Sequence, residues 1–285
     1  MNTVLSLTLV FLFSFGSEKI ENVSISSPQS LSIDPNGNVY VADTGNNRIL
    51  KFTNDGQFVK LIGGFGWNKE QFDTPVDICA KFALNIFIVD YNNQRIERYD
   101  KDLNYIASFF SDNINSEDLQ FGYPRGISIS RHGDLIIIDS DNNRLLKINS
   151  FGEPEISFGD FAEGLGKLGD PVQLEISPDD KIYVSDKAEA RIVVFDYFGN
   201  YLSEIGKGIL KEPQGIFVDD KNHLWVADAG NKEILTFSIR GELLLHWKTI
   251  NIEHGEFKNP VDVVSFKNKV YVLDDNFIYV FEMIY

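Results

Sequence analysis

Apolar and polar residues alternate along the chain in short runs bounded by turn-forming clusters. The first complete example lies between Ser30 and Ile62. Ser30–Ile33 alternates, Asp34-Pro35-Asn36-Gly37 reads as a turn, and Val39–Ala42 is a β-rich run. Thr44-Gly45-Asn46-Asn47 turns again, and Ile49–Phe52 and Phe58–Ile62 follow on either side of Asn54-Asp55-Gly56. Asn, Asp, Gly and Pro supply the dihedrals and side-chain hydrogen bonds that turns need, while β-branched and aromatic residues suit a pleated surface. No stretch of comparable length carries apolar residues at a helical period, so strands are predicted almost throughout.

This unit recurs six times. A proline opens each copy at Pro28, Pro75, Pro124, Pro171, Pro213 and Pro260, at spacings of 42 to 49 residues. An aspartate closes the second apolar run 14 or 15 residues later, at Asp43, Asp90, Asp139, Asp186, Asp228 and Asp274. Arg48, Arg95, Arg144 and Arg191 stand five past the aspartate, with Glu233 in the fifth copy. Ile25, Phe72, Phe121, Leu168, Leu210 and Phe257 each lie three before a proline. Four antiparallel strands per copy and six copies predict an all-β, six-bladed β-propeller, one domain over residues 18–285. Each aspartate is expected to cap backbone N–H groups of its own turn, the arginine to pin the next strand, and the residue three before the proline to wedge between blades.

The string Gly37-Asn38-Val39-Tyr40-Val41-Ala42-Asp43-Thr44-Gly45-Asn46-Asn47-Arg48-Ile49 resembles the signature of the NHL repeat. Leu135–Leu145, with Asp139, Asn142, Asn143 and Arg144, and Leu224–Asn231, with Asp228, repeat it. The resemblance covers Pro28–Tyr285 and implies the NHL type of six-bladed propeller. It departs at Glu233 and in the sixth copy, whose turn after Asp274 is shorter and lacks the arginine.

The sixth copy offers three strands, Pro260–Val264, Lys269–Leu273 and Phe277–Glu282, before Tyr285. A missing fourth strand would leave an unpaired edge, so the N-terminal segment is expected to complete the last blade. Two registers compete. Phe15-Gly16 lies as far before Pro28 as Ile62-Gly63 before Pro75 and Phe158-Gly159 before Pro171, which puts the strand on Val10–Phe15. Alternatively residues 1–17, uncharged and apolar over Val4–Phe15, form a secretory signal cleaved after Gly16, and Lys19–Ile25 closes the blade. The apolar run is too short for a transmembrane helix, which takes about 20 residues. On the signal reading the protein is secreted or periplasmic, and otherwise cytoplasmic.

Composition narrows the partners. The net charge is −16, which argues against phosphate backbones and anionic membranes, both recognised through Lys and Arg. The family's RNA-binding role therefore does not transfer. Cys79, the single cysteine, excludes an intramolecular disulfide and a cysteine-rich metal site. The resemblance to amidating lyases implies zinc held by histidines, but His132, His223, His246 and His254 fall on different turns and strands. No Gly-x-Ser-x-Gly elbow is present.

Two sets of residues are candidates for function. Two past each proline stand Ser30, Asp77, Gly126, Gln173, Gly215 and Asp262, so even-numbered blades carry the larger polar groups. With Glu175 and Arg125, the residues Asp77, Gln173 and Asp262 form a candidate polar site at the channel mouth, filled by ordered water, a small polar ligand or a cation such as calcium. The second set is Phe65, Trp67, Tyr123 and Phe161, aromatics on long loops before the prolines, where partner recognition is commonly placed on a rigid scaffold. The expectation is a monomeric, non-catalytic module binding protein, peptide or glycan through these loops, with no catalytic residues and no resident cofactor. A hydrolase or lyase at the channel mouth is the alternative.

Overall fold

Six copies of the strand–turn pattern give six four-stranded antiparallel sheets. The computed structural model describes residues 8–16, 24–82, 84–114, 116–160 and 164–284. In the first blade the strands run Ser30–Ile33, Val39–Asp43, Arg48–Phe52 and Phe58–Gly63, from the channel outward. The innermost strands of the six blades contact one another in ring order, the sixth meeting the first. The chain is thus an all-β six-bladed propeller. No helix among the described residues is long and apolar enough to cross a membrane.

The ring closes through the N-terminus. Thr8–Gly16 pairs antiparallel with Phe277–Ile284, outside Lys269–Asp274 and Pro260–Phe266, from Gly16 opposite Phe277 to Thr8 opposite Ile284. This is the register in which Val10–Phe15 supplies the fourth strand. Of the alternative segment, Lys19–Val23 lie outside the described residues.

The second strands explain why they read as unbroken apolar runs. Val39 and Val41 pack toward the sixth blade with Tyr271 and Leu273, whereas Tyr40 and Ala42 pack toward the second blade with Ile78, Ile86 and Ile88. A strand sandwiched between two neighbours must be apolar on both faces. The six residues three before the prolines are all buried, and Phe72, Phe121, Leu168, Leu210 and Phe257 sit in the inter-blade cores, as wedges should.

The aspartates act differently from the sequence expectation. Their main backbone donors come from the loop entering the blade, not from the aspartate's own turn. Asp43 accepts from Ser26 N–H at 2.7 Å, Asp90 from Asp73 N–H at 2.8 Å and Asp139 from Gly122 N–H at 3.0 Å. Asp228 does both, taking Lys211 and Glu212 N–H and also Gly230 and Asn231 N–H. The arginine completes the staple: Arg48 donates to Asp43 at 2.7 Å and to Ser24 O, and Arg144 donates to Asp139, Asp118 O and Gln120 O. Each Asp–Arg pair therefore shapes an inter-blade loop. Glu233 in the fifth blade instead turns outward to His246 and Lys248.

Candidate functional site

The polar residues two past the prolines meet in the channel as a girdle with a threefold pattern. Pairing of the first and second strands slips just after the proline in blades two to six, and the slip frees backbone amides. Even blades reach over to the amide of the next odd blade. Asp77 Oδ2 accepts from Ile127 N–H at 2.8 Å, Gln173 Oε1 from Ile216 N–H at 2.5 Å, and Asp262 Oδ2 from Leu31 N–H at 2.8 Å. Further donors reach the same carboxylates. Ser30 Oγ and Ile78 N–H donate to Asp77 Oδ1, Val263 N–H to Asp262 Oδ1, and Gln173 Nε2 to Asp262 Oδ2 at 3.1 Å.

The girdle explains why the first and fifth blades carry Ser30, a donor to Asp77, and Gly215. A Cβ on Gly215 would stand 2.1 Å from Asp262 Oδ1 and 2.6 Å from its Cα. Gly215→Ala is therefore expected to destabilise the protein by about 1–3 kcal/mol. Gly164→Ala, where an added Cβ meets nothing within 4 Å, is the control and should stay within about 0.5 kcal/mol in urea unfolding.

Full burial sets the electrostatics. Removal from water pushes the Asp262 carboxyl up to about 8, and the neighbouring Asp77 adds to this against the donors from Leu31, Gln173 and Val263. Burial likewise pushes Asp77 up to about 6, against its donors from Ser30, Ile127 and Ile78. Of the two, Asp262 is held more strongly in its neutral form.

The five channel residues anticipated from sequence divide into three groups. Asp77, Gln173 and Asp262 form the girdle. Arg125 lies on the proline side and pairs with Asp170 at 2.6 Å. There Gln29, Val76, Arg125, Val172, Gln214 and Val261, the residues one past each proline, help line a space of only 20 Å³. Glu175 lies on the opposite, turn side, where the channel widens into a cavity of 550 Å³. Its partner, which sequence reasoning did not single out, is Lys81: Nζ stands 2.7 Å from Glu175 Oε1 and also donates to Ile176 O. Lys81 reaches the channel where the strand pairing of the second blade slips again, between Cys79 and Phe82. No sequence pattern marks that slip.

The loop aromatics also divide. Phe65 and Trp67 are 66% and 74% exposed. Their backbone is nevertheless held from beneath by Arg95, which donates to Trp67 O at 3.0 Å, Asn68 O at 3.1 Å and Gln71 O at 2.6 Å. The Arg95 side chain is only 4% exposed and pairs with Asp90 and Glu97. Asn93 holds Gly66 O from the adjoining turn, and Tyr91 at the start of that turn stacks on Tyr123 with ring centroids 5.2 Å apart. Three of the four aromatics thus gather around residues 91–94. The fourth, Phe161, lies outside the described residues. Glu70, Asp112, Glu117, Asp118 and Asp141, on the proline-side loops of the first three blades, are exposed.

The histidines stay apart. His132 contacts Asp180, His223 contacts Asp219, His246 contacts Glu233, and His254 contacts Asn251 and the Phe11 ring. Among the described residues no group of three His, Cys, Asp or Glu side chains is placed to hold a metal. Cys79 lines the wide cavity, but burial pushes its thiol up to about 11, so it stays protonated at neutral pH.

Comparison with known proteins finds the NHL repeat model matching residues 26–52. The chain is similar to NHL repeat-containing protein 3 of Homo sapiens, 29% identical over 176 residues that cover 56% of this chain. It spans about half of that relative's length, 49%. Among solved structures it is similar to a streptogramin B lyase, with a TM-score of 0.67 at 13% identity, covering 98% of each chain. A gluconolactonase from Xanthomonas campestris gives a TM-score of 0.72 at 14% identity, covering 99% of this chain and 91% of the other. At these identities the solved structures speak for the fold alone.

Proposed function

We propose that this chain, an NHL-repeat six-bladed β-propeller, is a binding module that takes a basic, apolar-flanked segment of a partner protein on its proline-side face. One observation carries the reading: Phe65 and Trp67 stand in solvent on a backbone that the buried Arg95 holds fixed. Aromatic anchors on a preorganised loop give up little conformational entropy on binding, and such residues dominate interface energetics. The exposed carboxylates of Glu70, Glu117 and Asp118 in neighbouring loops favour Lys and Arg in the partner, as does the net charge of −16.

Selection from a random peptide library is expected to return sequences pairing Lys or Arg with Leu or an aromatic. The F65A/W67A variant should lose about 30-fold or more in affinity for the selected peptide, as for loss of interface anchors. Binding should also weaken with salt. Unchanged affinity in that variant would sink the proposal. A glycan, the competing occupant for exposed aromatics, would instead bind independently of salt.

A hydrolase or lyase at the channel is the second reading, and the observation behind it is the Asp262 carboxyl, pushed up to about 8 and so suited to general-acid work. Its oxygens are already engaged by Leu31, Val263 and Gln173, which favours the non-catalytic reading. A channel cation would have to displace the same donors.

A further inference from the structure

The wide cavity on the turn side has no part in the binding face. Its inner end is the girdle, so a molecule entering from the turns stops at Asp77, Gln173 and Asp262. Beyond lies the 20 Å³ space on the proline side, room for about one water. The cavity's 550 Å³ falls within the usual range of small-molecule sites. Leu31, Ile78, Leu174, Phe217, Val264 and Phe266 make much of its wall apolar.

The polar groups of this cavity differ in what they have left to give. Asp34 is occupied by Asn36 N–H, Asn38 N–H, Asn38 Nδ2 and Tyr40 OH. Asp219 is occupied by Lys221 N–H, His223 N–H, the His223 ring and Trp225 Nε1. Lys81 uses two of its three N–H donors, on Glu175 and Ile176 O. Glu175 receives Lys81 on Oε1 and a long 3.3 Å bond from Ser128 on Oε2, which leaves it acceptor capacity. A spare donor on Lys81 and a spare acceptor on Glu175 therefore stand together at one point of the wall, 2.7 Å apart.

We propose that this cavity binds an uncharged, mainly apolar small molecule by a carboxamide end, its carbonyl oxygen taken by Lys81 and its N–H by Glu175. At this pair the charge balance works against ions. Lys81 and Glu175 neutralise each other at 2.7 Å, so a charged head seated between them would lose its hydration without a net counter-charge from the pair, while Asp34 and Asp219 are engaged by their own turns. A carboxamide satisfies both sides, whereas a head lacking the donor or the acceptor leaves one of them unpaired.

The test uses three probes with one apolar body: octanamide, octanoate and octylamine, titrated into the full chain at about pH 7 and followed by protein NMR shifts. Octanamide is expected to bind at least about tenfold more tightly than either charged probe. In the K81M/E175L variant, checked for an intact thermal transition, that preference should fall to within about threefold. Should that variant not fold, Glu175→Gln keeps the side-chain size but leaves Lys81 without its counter-charge, and should shrink the preference over octanoate while widening that over octylamine. F65A/W67A should bind octanamide as the unaltered chain does, so failure of the peptide reading and failure of this one are separable. No saturable octanamide binding up to about 10 mM, equal binding of a charged probe, or a preference that survives loss of the Lys81–Glu175 pair would each overturn the proposal.

Discussion

A chain lacking residues 1–16 is expected to lose its cooperative unfolding transition and to self-associate. Within that segment Thr8–Gly16 supplies a whole strand of the sixth blade, paired with Phe277–Ile284. Phe15 is 2% exposed, inside a core shared with Leu31, Phe52 and Leu273, and its ring lies 5.1 Å from that of Phe52. Burial of one such phenylalanine contributes about 2–3 kcal/mol, and the strand also satisfies the backbone groups of its neighbour. Against a net stability of about 5–15 kcal/mol for a typical domain, losing both is enough to open the ring. The uncovered edge of Phe277–Ile284, flanked by apolar side chains, would then be free to pair with other chains. Urea unfolding followed by tryptophan fluorescence, with size-exclusion chromatography, reads both effects. Phe15→Ala in the full-length chain gives a graded version, at a cost of about 3–5 kcal/mol. A truncated monomer with an unchanged urea midpoint would refute the closure by Thr8–Gly16 and hand the fourth strand to Lys19–Ile25. The same measurement bears on export, because a segment cleaved after Gly16 cannot also be the outer strand of the blade.

The closure was legible because it repeats a spacing. Phe15-Gly16 precedes Pro28 as Ile62-Gly63 precedes Pro75, and one repeat unit predicts the next. The wedge residues and the second-strand cores were legible for the same reason. What the aspartates hold was not, since their donors lie some 16 or 17 residues back, in loops whose course only the folded chain defines. The alternation of Asp77, Gln173 and Asp262 with small residues stood out in the sequence, but its meaning depends on amides of neighbouring blades, such as Leu31 N–H reaching Asp262 from 231 residues away. The side of the channel on which space opens was also hidden. Arg125 and the other residues one past the prolines narrow the proline-side mouth, while the widening at Lys81 follows from a local slip in strand pairing.

Stability is expected to fall as pH rises from about 5 to 8, and Asp262 should account for most of the slope. In the unfolded chain an aspartate releases its proton near 3.8, whereas burial raises Asp262 to about 8 in the folded protein. Between those values the native state holds one proton that the unfolded state has lost. Unfolding then releases a proton, and each unit of pH favours the unfolded chain by about 1.4 kcal/mol. The integrated loss between pH 5 and 8 is about 3–4 kcal/mol, complete just above 8 and absent below the unfolded value. Asp77, pushed up to about 6, adds a smaller loss of the same sign at the acid end of this window. Ordinary carboxylates are ionised in both states over the range and contribute little. Asp262→Asn removes the titrating proton while keeping a carbonyl oxygen for the Leu31 amide, so its urea midpoint should vary little from pH 6 to 8. Were the variant to keep the full slope of the unaltered chain, Asp262 would not be the titrating group, and a neutral Asp262 at the centre of the channel would have to be abandoned.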